Sequence, residues 1–410
     1  MRTPDPADPD PGPGAAPGEP VIVRTTGSPR GRGRQYGAAA RERIQLSLAS
    51  YERMYAHFAG LRWDAATALA ETFVPVIEAF DADCLEEMSG IAEGAGAGLP
   101  DVLALNLRTE ILFSARARAA SSDGTRPPNG PPGPPAPPEC TAFADLRGPE
   151  PIVGQNWDWL PFAHDTVVIL QAEPTNGPRW VSVVEAGLLA KFGMNSAGLT
   201  VLTNALVTSE DRGGPGVPYH LLLRALLESD SLAAAEETIR TARRSSSANY
   251  LLAAAGDDGS GAGNTGGEGG VAIDVEARPG GPDGVTRHPV APGTFLVHTN
   301  HFTEPVPAHD YGPAVFSDTH DRYRRATALA ERMPYPSVAA WQEVLRDHEG
   351  LPDAICCHPD PDAPHELDRS STVASAIVEP ERRTLHLALG RPCTTRRVTY
   401  SYRDFFRGRG

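Results

Sequence analysis

Long hydrophobic runs, a recognisable export signal and a surplus of positive charge are all missing from this chain of 410 residues. No run of about 18 consecutive apolar residues occurs, so no transmembrane helix is expected. The opening residues, MRTPDP, contain no apolar core of the kind that a secretory signal needs, so a cytoplasmic protein is expected. The formal net charge of −15 argues against nucleic acid or an anionic membrane as a partner.

Cysteine is also scarce, and its positions argue against two kinds of site. The chain has five cysteines, namely Cys84, Cys140, Cys356, Cys357 and Cys393. An odd and sparse set without the usual ligand spacing supports neither a disulfide framework nor a structural zinc site. The sequence Cys356-Cys357-His358 is interpreted as packing near a strand end, because adjacent cysteines rarely chelate one ion well. We therefore predict no metal site.

Proline and glycine are plentiful instead, and much of the excess lies in two low-complexity stretches. Residues 1–20 contain seven prolines and several acids, which predicts a disordered tail. Residues 121–139 are also rich in proline, which predicts an exposed, extended linker. The segment between them, 21–120, is rich in strong helix formers and predicts a mainly helical segment. Within it, the basic stretch at 28–34 is interpreted as solvated and flexible.

The remainder of the chain, from Cys140 to residue 410, has a different pattern. Short β-type runs are separated by turns, and a pair of helical segments interrupts them before more strands follow. This order predicts stacked sheets with helices outside, an α+β fold in layers.

Cys140 stands directly after the proline-rich linker and directly before the first of these strands. Cleavage of the Glu139–Cys140 peptide bond would give this residue a free α-amine beside its own thiol. An α-amine has an ordinary pKa near 8, so it can act as the general base for the thiol. The alternative interpretation is a half-buried cysteine at the start of a strand, since buried free cysteine is common.

Several short motifs follow Cys140 in order along the chain. They are Gly154–Trp159 (GQNWDW), Glu185–Gly187 (EAG), Gly193–Leu199 (GMNSAGL), His298–His301 (HTNH) and Asp368–Thr372 (DRSST). The set resembles the acyl-coenzyme A:6-aminopenicillanic acid acyltransferase family, the C45 peptidases among the N-terminal-nucleophile hydrolases. The resemblance covers the chain from Val21 to its end and is densest between Cys140 and Tyr250.

The resemblance implies a four-layer αββα sandwich and a precursor that cleaves itself before Cys140. Two subunits, 1–139 and 140–410, would stay associated after the cut. The new N-terminal cysteine would accept an acyl group as a thioester and pass it to an amine or to water. The implied partners are a small-molecule acyl donor and an amine acceptor. No cofactor is implied, although an acyl-coenzyme A could serve as the donor substrate.

The resemblance also implies roles for individual residues. Cys140 would be the nucleophile, and Asp158 would orient its amine or a polar group of the substrate. Asn300 would donate its side-chain amide to the oxyanion. Arg369 would hold Asp158 or a substrate carboxylate through a bidentate contact.

Two positions depart from the penicillin-forming member of the family, and two tryptophans have open roles. Glu139 stands where that member has Gly, which predicts slower cleavage because Gly accommodates a strained backbone more easily. Asp368 stands where that member has Ser, which predicts a different acceptor side of the substrate pocket. Trp157 and Trp159 flank Asp158 and are interpreted as either pocket-lining or core residues.

Other interpretations of the chain remain open. His298 and His301 are three residues apart and could be metal ligands. A strand end does not place the two side chains on one face, which favours structural roles. The protein could also be a strict hydrolase of small amides, such as N-acyl amines or N-acyl amino acids. A further alternative is a degenerate family member that binds without catalysis.

Overall fold

The computed structural model describes residues 20–122, 140–256 and 270–408. Residues 1–19 of the predicted tail, most of the predicted linker and Glu139 lie outside these described residues. Thirteen α-helices occur within them: Pro29–Ala39 (α1), Arg41–Ala59 (α2), Trp63–Glu71 (α3), Val74–Ala95 (α4), Leu99–Asn106 (α5), Arg108–Ser122 (α6), Ala163–Thr166 (α7), Tyr219–Leu227 (α8), Leu232–Thr241 (α9), Gly312–Val315 (α10), Thr319–Glu331 (α11), Val338–Leu345 (α12) and Arg403–Arg407 (α13). None of the helices in the described part of the chain combines the length and the apolar character that a membrane span needs.

The strands form two sheets in the described residues. The strands are Ile22–Gly27 (β1), Thr141–Asp145 (β2), Ile152–Trp159 (β3), Val167–Pro174 (β4), Trp180–Glu185 (β5), Phe192–Asn195 (β6), Leu199–Ala205 (β7), Ala248–Ala254 (β8), Val271–Ala277 (β9), Val285–Val290 (β10), Phe295–His298 (β11), Ser371–Glu379 (β12), Thr384–Leu389 (β13) and Val398–Ser401 (β14). The larger sheet has the order β1-β4-β5-β6-β7-β8-β9-β10, and the smaller one has the order β11-β2-β3-β12-β13-β14. Strand β1 pairs with β4 in parallel, and the neighbouring pair β4–β5 is antiparallel.

The two sheets pack against each other, and helices cover their outer faces. Strand β2 of the smaller sheet contacts β7 and β8 of the larger sheet. Helices α1, α8 and α9 pack on the larger sheet, whereas α11 and α12 pack on the smaller one. Strands such as β2 and β5 are therefore buried along their whole length, as expected for sheets covered on both faces. The predicted four-layer αββα sandwich of class α+β is confirmed.

Helices α1 and α4 pack unusually closely because glycines face each other. A Cβ atom added to Gly33 of α1 would lie 2.1 Å from the backbone oxygen of Glu87 in α4. A Cβ atom added to Gly90 of α4 would lie 2.3 Å from the backbone oxygen of Arg30. Arg32 is buried and bonds to the Glu87 carboxylate over 2.6 Å. The interpretation of residues 28–34 as a flexible segment is therefore wrong, because most of them belong to this packed helix.

Candidate active site

Cys140 is buried at the start of β2, an interior strand of the smaller sheet. Its neighbour Thr141 pairs with Asn156 of β3, and Ala142 pairs with His298 of β11. This register sets Cys140 level with Trp157, the residue before Asp158. The start of β2 thus lies between β3, which carries the GQNWDW motif, and β11, which ends at the first residue of the HTNH motif.

Side chains of β2 alternate between the two faces of the sheet. Thr141 accepts a hydrogen bond from Arg322 of α11, and Phe143 stacks on Trp341 of α12 with ring centroids 3.6 Å apart. These residues face the helical layer, so Cys140 faces the larger sheet. Consistent with that direction, Nε2 of Gln155 lies 3.9 Å from Sγ of Cys140.

The backbone carbonyl of Cys140 is fixed by donors from two other layers. Nδ2 of Asn204, in β7 of the larger sheet, donates to this oxygen over 2.9 Å. Nη1 of Arg322, in α11, donates to the same oxygen over 3.0 Å. Both donors are buried, so the hydrogen bonds are protected from competing water. The nucleophile candidate therefore has a rigid main chain on its C-terminal side.

Arg322 also joins Cys140 to Asn300. Its Nη2 donates to Oδ1 of Asn300 over 2.8 Å, and its Nε bonds to the carboxylate of Asp318. Burial lowers the pKa of Arg322, but the carboxylates of Asp318 and Asp158 more than offset this effect, and the net pKa is raised. The guanidinium is therefore a permanent, fully paired cation beside Cys140.

Sequence reasoning did not single out Arg322 or Asn204. Arg322 lies in the stretch DRYRRATALAER, which contains four arginines of the same chemical kind. Only burial separates them, because Arg322 is 2% exposed whereas Arg324 and Arg325 lie at or near the surface. Helical spacing identifies a face of α11, but it does not reveal that this face meets the start of β2.

The side-chain amide of Asn300 has a defined orientation. Its Oδ1 accepts from Arg322, and its Nδ2 donates to the backbone oxygen of Ala205 over 3.0 Å. Its backbone N–H donates to Oγ1 of Thr319 over 2.8 Å. An arginine is only a donor, so the partner of Arg322 must be the amide oxygen, and the NH₂ group must point away from the arginine.

Asp158 lies on the face of β3 opposite to that of Trp157. Oγ1 of Thr372, its paired residue on β12, donates to Oδ1 of Asp158 over 2.5 Å. The same hydroxyl oxygen accepts from the backbone N–H of Cys357 over 2.9 Å. The carboxylate is buried, and it lies one residue along β3 from the position that is level with Cys140.

Arg369 and Asp368 make their contacts elsewhere. Nη2 of Arg369 donates to the backbone oxygens of Pro361 and Ala363 in its own loop, each over 3.3 Å. Within the described residues, no hydrogen bond joins Arg369 to Cys140 or Asp158. Asp368 bonds to Nε2 of His57 in α2 over 2.7 Å, which links the helical segment to this loop.

Trp157 and Trp159 fill the space between the sheets. The Trp157 ring packs edge-on to Phe192, and Nζ of the buried Lys191 lies 4.6 Å from its centroid. The guanidinium of Arg108 lies 4.1 Å from the Trp159 centroid. That same guanidinium forms a buried ion pair with Glu185, the first residue of the EAG motif. The two rings therefore lie in a buried region that also contains cations.

The two histidines of the HTNH motif have structural partners. Nδ1 of His298 lies 2.8 Å from the backbone oxygen of Thr299, and its Nε2 lies 3.0 Å from Oε1 of Glu276. Nδ1 of His301 lies 2.9 Å from Oγ1 of Thr319. Both ring nitrogens of His298 are thus engaged by protein atoms, which favours a role in positioning the strand end that leads to Asn300.

The layered sandwich, with a buried cysteine at the start of an interior strand, has the fold of the N-terminal-nucleophile hydrolases. The family model described as "Acyl-coenzyme A:6-aminopenicillanic acid acyl-transferase" matches residues 146–394, more than half of the chain. The protein therefore belongs to this family. The matched region begins after Cys140 and contains Asp158, Asn300 and Arg369.

Individual proteins are also similar to this chain. The 40 kDa form of acyl-coenzyme A:6-aminopenicillanic-acid-acyltransferase from Emericella nidulans is 25% identical over 309 residues, 75% of each chain. A solved structure of a mutant conjugated bile acid hydrolase from Clostridium perfringens matches with a TM-score of 0.39 and 11% identity, covering 64% of this chain and 97% of that one. Penicillin V acylase from Agrobacterium tumefaciens matches with a TM-score of 0.32 and 15% identity, covering 64% of this chain and 86% of that one.

Proposed function

We propose that the protein is an acyltransferase or amidohydrolase that activates itself by cleavage before Cys140 and then carries acyl groups on the Cys140 thiol. The main support is the hydrogen-bonded unit of Cys140, Arg322 and Asn300, which fixes the nucleophile candidate beside an oriented amide donor. Membership of the acyltransferase family supports the acyl chemistry.

Activation would proceed by an acyl shift from nitrogen to sulfur. Sγ of Cys140 attacks the carbonyl carbon of Glu139, the C–N bond breaks, and the amide nitrogen takes up the thiol proton. Water then hydrolyses the resulting thioester, which leaves a carboxylate on Glu139 and a free α-amine on Cys140. The fixed carbonyl of Cys140 limits the motion of the residue during this step.

Turnover would use the new α-amine as the base. The amine takes the thiol proton, and the thiolate attacks the carbonyl carbon of the acyl donor, which can be an acyl-coenzyme A or an amide. The leaving group departs with the proton, and an amine or water then attacks the thioester. The oriented Nδ2 of Asn300 would donate to the oxyanion, and Asp158 would hold the α-ammonium.

The remaining candidates would contact the substrate. Trp157 lies level with Cys140, on the face that the sulfur also uses, so it would border the acyl chain. Trp159, on the same face of β3, would add a second aromatic ring to that side of the pocket. Arg369 bonds within its own loop, so it would meet a carboxylate of the substrate rather than Asp158. Asp368, in the same loop, would contribute to the acceptor side.

Mass spectrometry and N-terminal sequencing of the purified protein test this proposal. The expected result is two fragments, 1–139 and 140–410, with Cys at the new terminus. Cys140→Ala should stay intact and inactive, whereas Cys84→Ala, which alters a buried cysteine of α4, should be cleaved and labelled normally by a thiol-reactive acyl probe. An intact chain with full activity would refute activation by cleavage, and a probe that fails to label Cys140 would favour a non-catalytic protein.

The acceptor is tested separately. Product analysis with and without an added amine separates acyl transfer from hydrolysis, because both pathways share the thioester. Partition wholly to water would identify a strict amide hydrolase.

A further inference from the structure

Two cysteines and two histidines converge near the end of the smaller sheet. His348 follows α12, Cys356 and His358 lie in the next loop, and Cys393 lies in the turn between β13 and β14. One possible ligand atom from each of the four side chains lies within 4.8 Å of the other three. Cys140, Asp158 and Asn300 are not members of this cluster.

We propose that His348, Cys356, His358 and Cys393 bind one zinc ion. Two thiolates with two imidazoles are a ligand set that zinc prefers in structural sites. The two thiolates also balance the charge of the ion, so binding leaves no uncompensated charge in a partly buried place. This proposal replaces the expectation of no metal, and it does not depend on the acyl chemistry of Cys140.

Three of the six distances between the ligand atoms, those that involve Nε2 of His358, match a tetrahedral site. With Zn–N bonds of about 2.1 Å and Zn–S bonds of about 2.3 Å, tetrahedral angles put two nitrogens about 3.4 Å apart and a nitrogen and a sulfur about 3.6 Å apart. In the structure, Nε2 of His358 lies 3.2 Å from Nε2 of His348. The same Nε2 lies 3.4 Å from Sγ of Cys393 and 3.7 Å from Sγ of Cys356.

The surrounding backbone supports this arrangement. The backbone N–H of Cys356 donates to the oxygen of Asp347 over 3.0 Å, and that of His358 donates to the oxygen of Pro352 over 2.9 Å. These bonds hold two ligands of the loop in place. His348 is exposed and Cys356 is buried, so an ion would sit at the surface where solution zinc and chelators can reach it.

One neighbour must move when the ion binds. Nη1 of Arg391 lies 2.8 Å from Nδ1 of His358. Coordination through Nε2 leaves a proton on Nδ1 of a neutral imidazole, and two donors cannot share that contact. The Arg391 side chain would therefore turn away from the ring in the zinc-bound protein.

Zinc at this position would stabilise the loop that reaches Asp158. Cys357 lies between two of the ligands, and its backbone N–H donates to Oγ1 of Thr372, which in turn bonds to Asp158. The ion would join the loop after α12 to the β13–β14 turn. The site would therefore be structural, with a closed set of four protein ligands.

Metal analysis of the full-length protein tests the proposal. Protein that is purified without added chelator and then desalted should contain about one zinc ion per chain, as measured by inductively coupled plasma mass spectrometry. Cys393→Ser and His358→Gln should lose it, whereas Cys357→Ser, which changes the adjacent buried cysteine outside the cluster, should retain it. Cobalt in place of zinc should give the strong visible absorption of tetrahedral sites with thiolate ligands.

Three results would overturn the zinc site, and none bears on Cys140. The first is wild-type protein that has free thiols but binds neither zinc nor cobalt. The second is a Cys356–Cys393 disulfide found under non-reducing conditions. The third is equal metal content in Cys393→Ser and the wild type. The metal content of the wild type tests the proposal even if a variant fails to fold.

Discussion

Arg322 donates to the side-chain oxygen of Asn300 over 2.8 Å, and this hydrogen bond, together with the one from Nδ2 to the Ala205 backbone oxygen, determines which way the amide faces. A rotated amide would set its NH₂ group against the arginine and its oxygen against the Ala205 carbonyl, so both contacts disfavour rotation. The arginine is buried and paired, so the preference persists across the working pH range. Preorganised donors of this kind are the largest single contribution in many acyl-transfer enzymes.

Replacement of Asn300 tests the oxyanion role. In Asn300→Ala, kcat should fall by about 10²–10³-fold with little change in KM, because the lost donor acts in the transition state. Asn300→Asp is a matched control, since it keeps an oxygen for Arg322 but removes the NH₂ group. A loss in Asn300→Asp at least as large as that in Asn300→Ala supports the donor role, because the new negative charge also opposes the oxyanion, and unchanged kcat in either variant would contradict it.

We expect Arg322 to act as a positioning residue whose effect on the rate depends on Asn300. Arg322→Lys keeps a cation for Asp318 but cannot reach Cys140 and Asn300 together, so acylation of Cys140 should slow by roughly 10–10²-fold. Combining it with Asn300→Asp should cost less than the sum of the two single changes. Arg325→Lys, on the same helix but paired with Asp347, should leave the rate unchanged. Strict additivity would show that Arg322 acts independently of Asn300.

The contact between α1 and α4 should not accommodate an added methyl group. Gly33→Ala should lower the free energy of unfolding by about 1–3 kcal/mol, because the added Cβ meets the backbone of α4. Gly31→Ala on the same helix places its Cβ 3.1 Å from only the Ser28 hydroxyl, which can rotate. Its effect should stay within about 1 kcal/mol. Similar losses in both variants in urea unfolding would disprove the close contact.

The buried His220 should make the protein sensitive to mild acid. Burial, followed by the positive charges of Arg108 and Lys191, holds its pKa well below the ordinary value near 6.5. Between the folded and the unfolded pKa, the unfolded chain therefore binds a proton at His220 and the folded chain does not. Above about pH 6.5, His220 does not reduce the free energy of unfolding. As the pH drops from there towards the folded pKa, the free energy of unfolding falls by up to about 1.4 kcal/mol per pH unit.

Unfolding of matched variants at pH 7 and pH 5 measures this effect. His220→Gln should lower the free energy of unfolding at pH 7 but reduce its loss between the two pH values. His309→Gln changes an exposed histidine and should keep the wild-type pH dependence. If His220→Gln has the same pH dependence as the wild type, another group is responsible.

Removal of zinc should loosen the loop after α12. Dialysis against a chelator should lower the Tm of the wild type and slow the labelling of Cys140 by an acyl probe, and added zinc should restore both. Ligand binding to the folded state stabilises it by about 2.7 kcal/mol when the free ligand is at 100 times its Kd. Cys393→Ser should show no response to chelator, and a wild type that loses its zinc at constant Tm would exclude a stabilising role.

The sequence predicts the layered β-region and the position of Cys140 well, because alternation, turns and ordered motifs are local signals. It does not predict Arg322 or Asn204, because each reaches Cys140 from another layer and neither lies in a local pattern with it. Long-range hydrogen bonds of this kind depend on how layers stack, which spacing along the chain does not encode.

Two further features of the structure do not follow from the sequence pattern, namely the convergence of the four side chains around His358 and the packing of residues 28–34. Metal-binding motifs are identified in a sequence by ligands at short, fixed spacings. Cys393 is far from His358 in the sequence, and it lies beside His358 because the β12–β13 hairpin brings the chain back to this end of the sheet. The adjacent Cys357, which drew attention in the sequence, points elsewhere. The arginines of residues 28–34 indicate a solvated, flexible stretch, but Gly33 allows two helix backbones to approach and the stretch is packed.

Strand β1 gives the proposed cleavage a lasting consequence. It pairs along its whole length with β4, so the smaller fragment contributes a strand to a sheet that belongs otherwise to the larger one. After the cut, refolding would require two separate polypeptides to meet, and recovery from denaturation would depend on protein concentration. An enzyme matured in this way would fold once as a single chain and could not readily regain its structure after losing it.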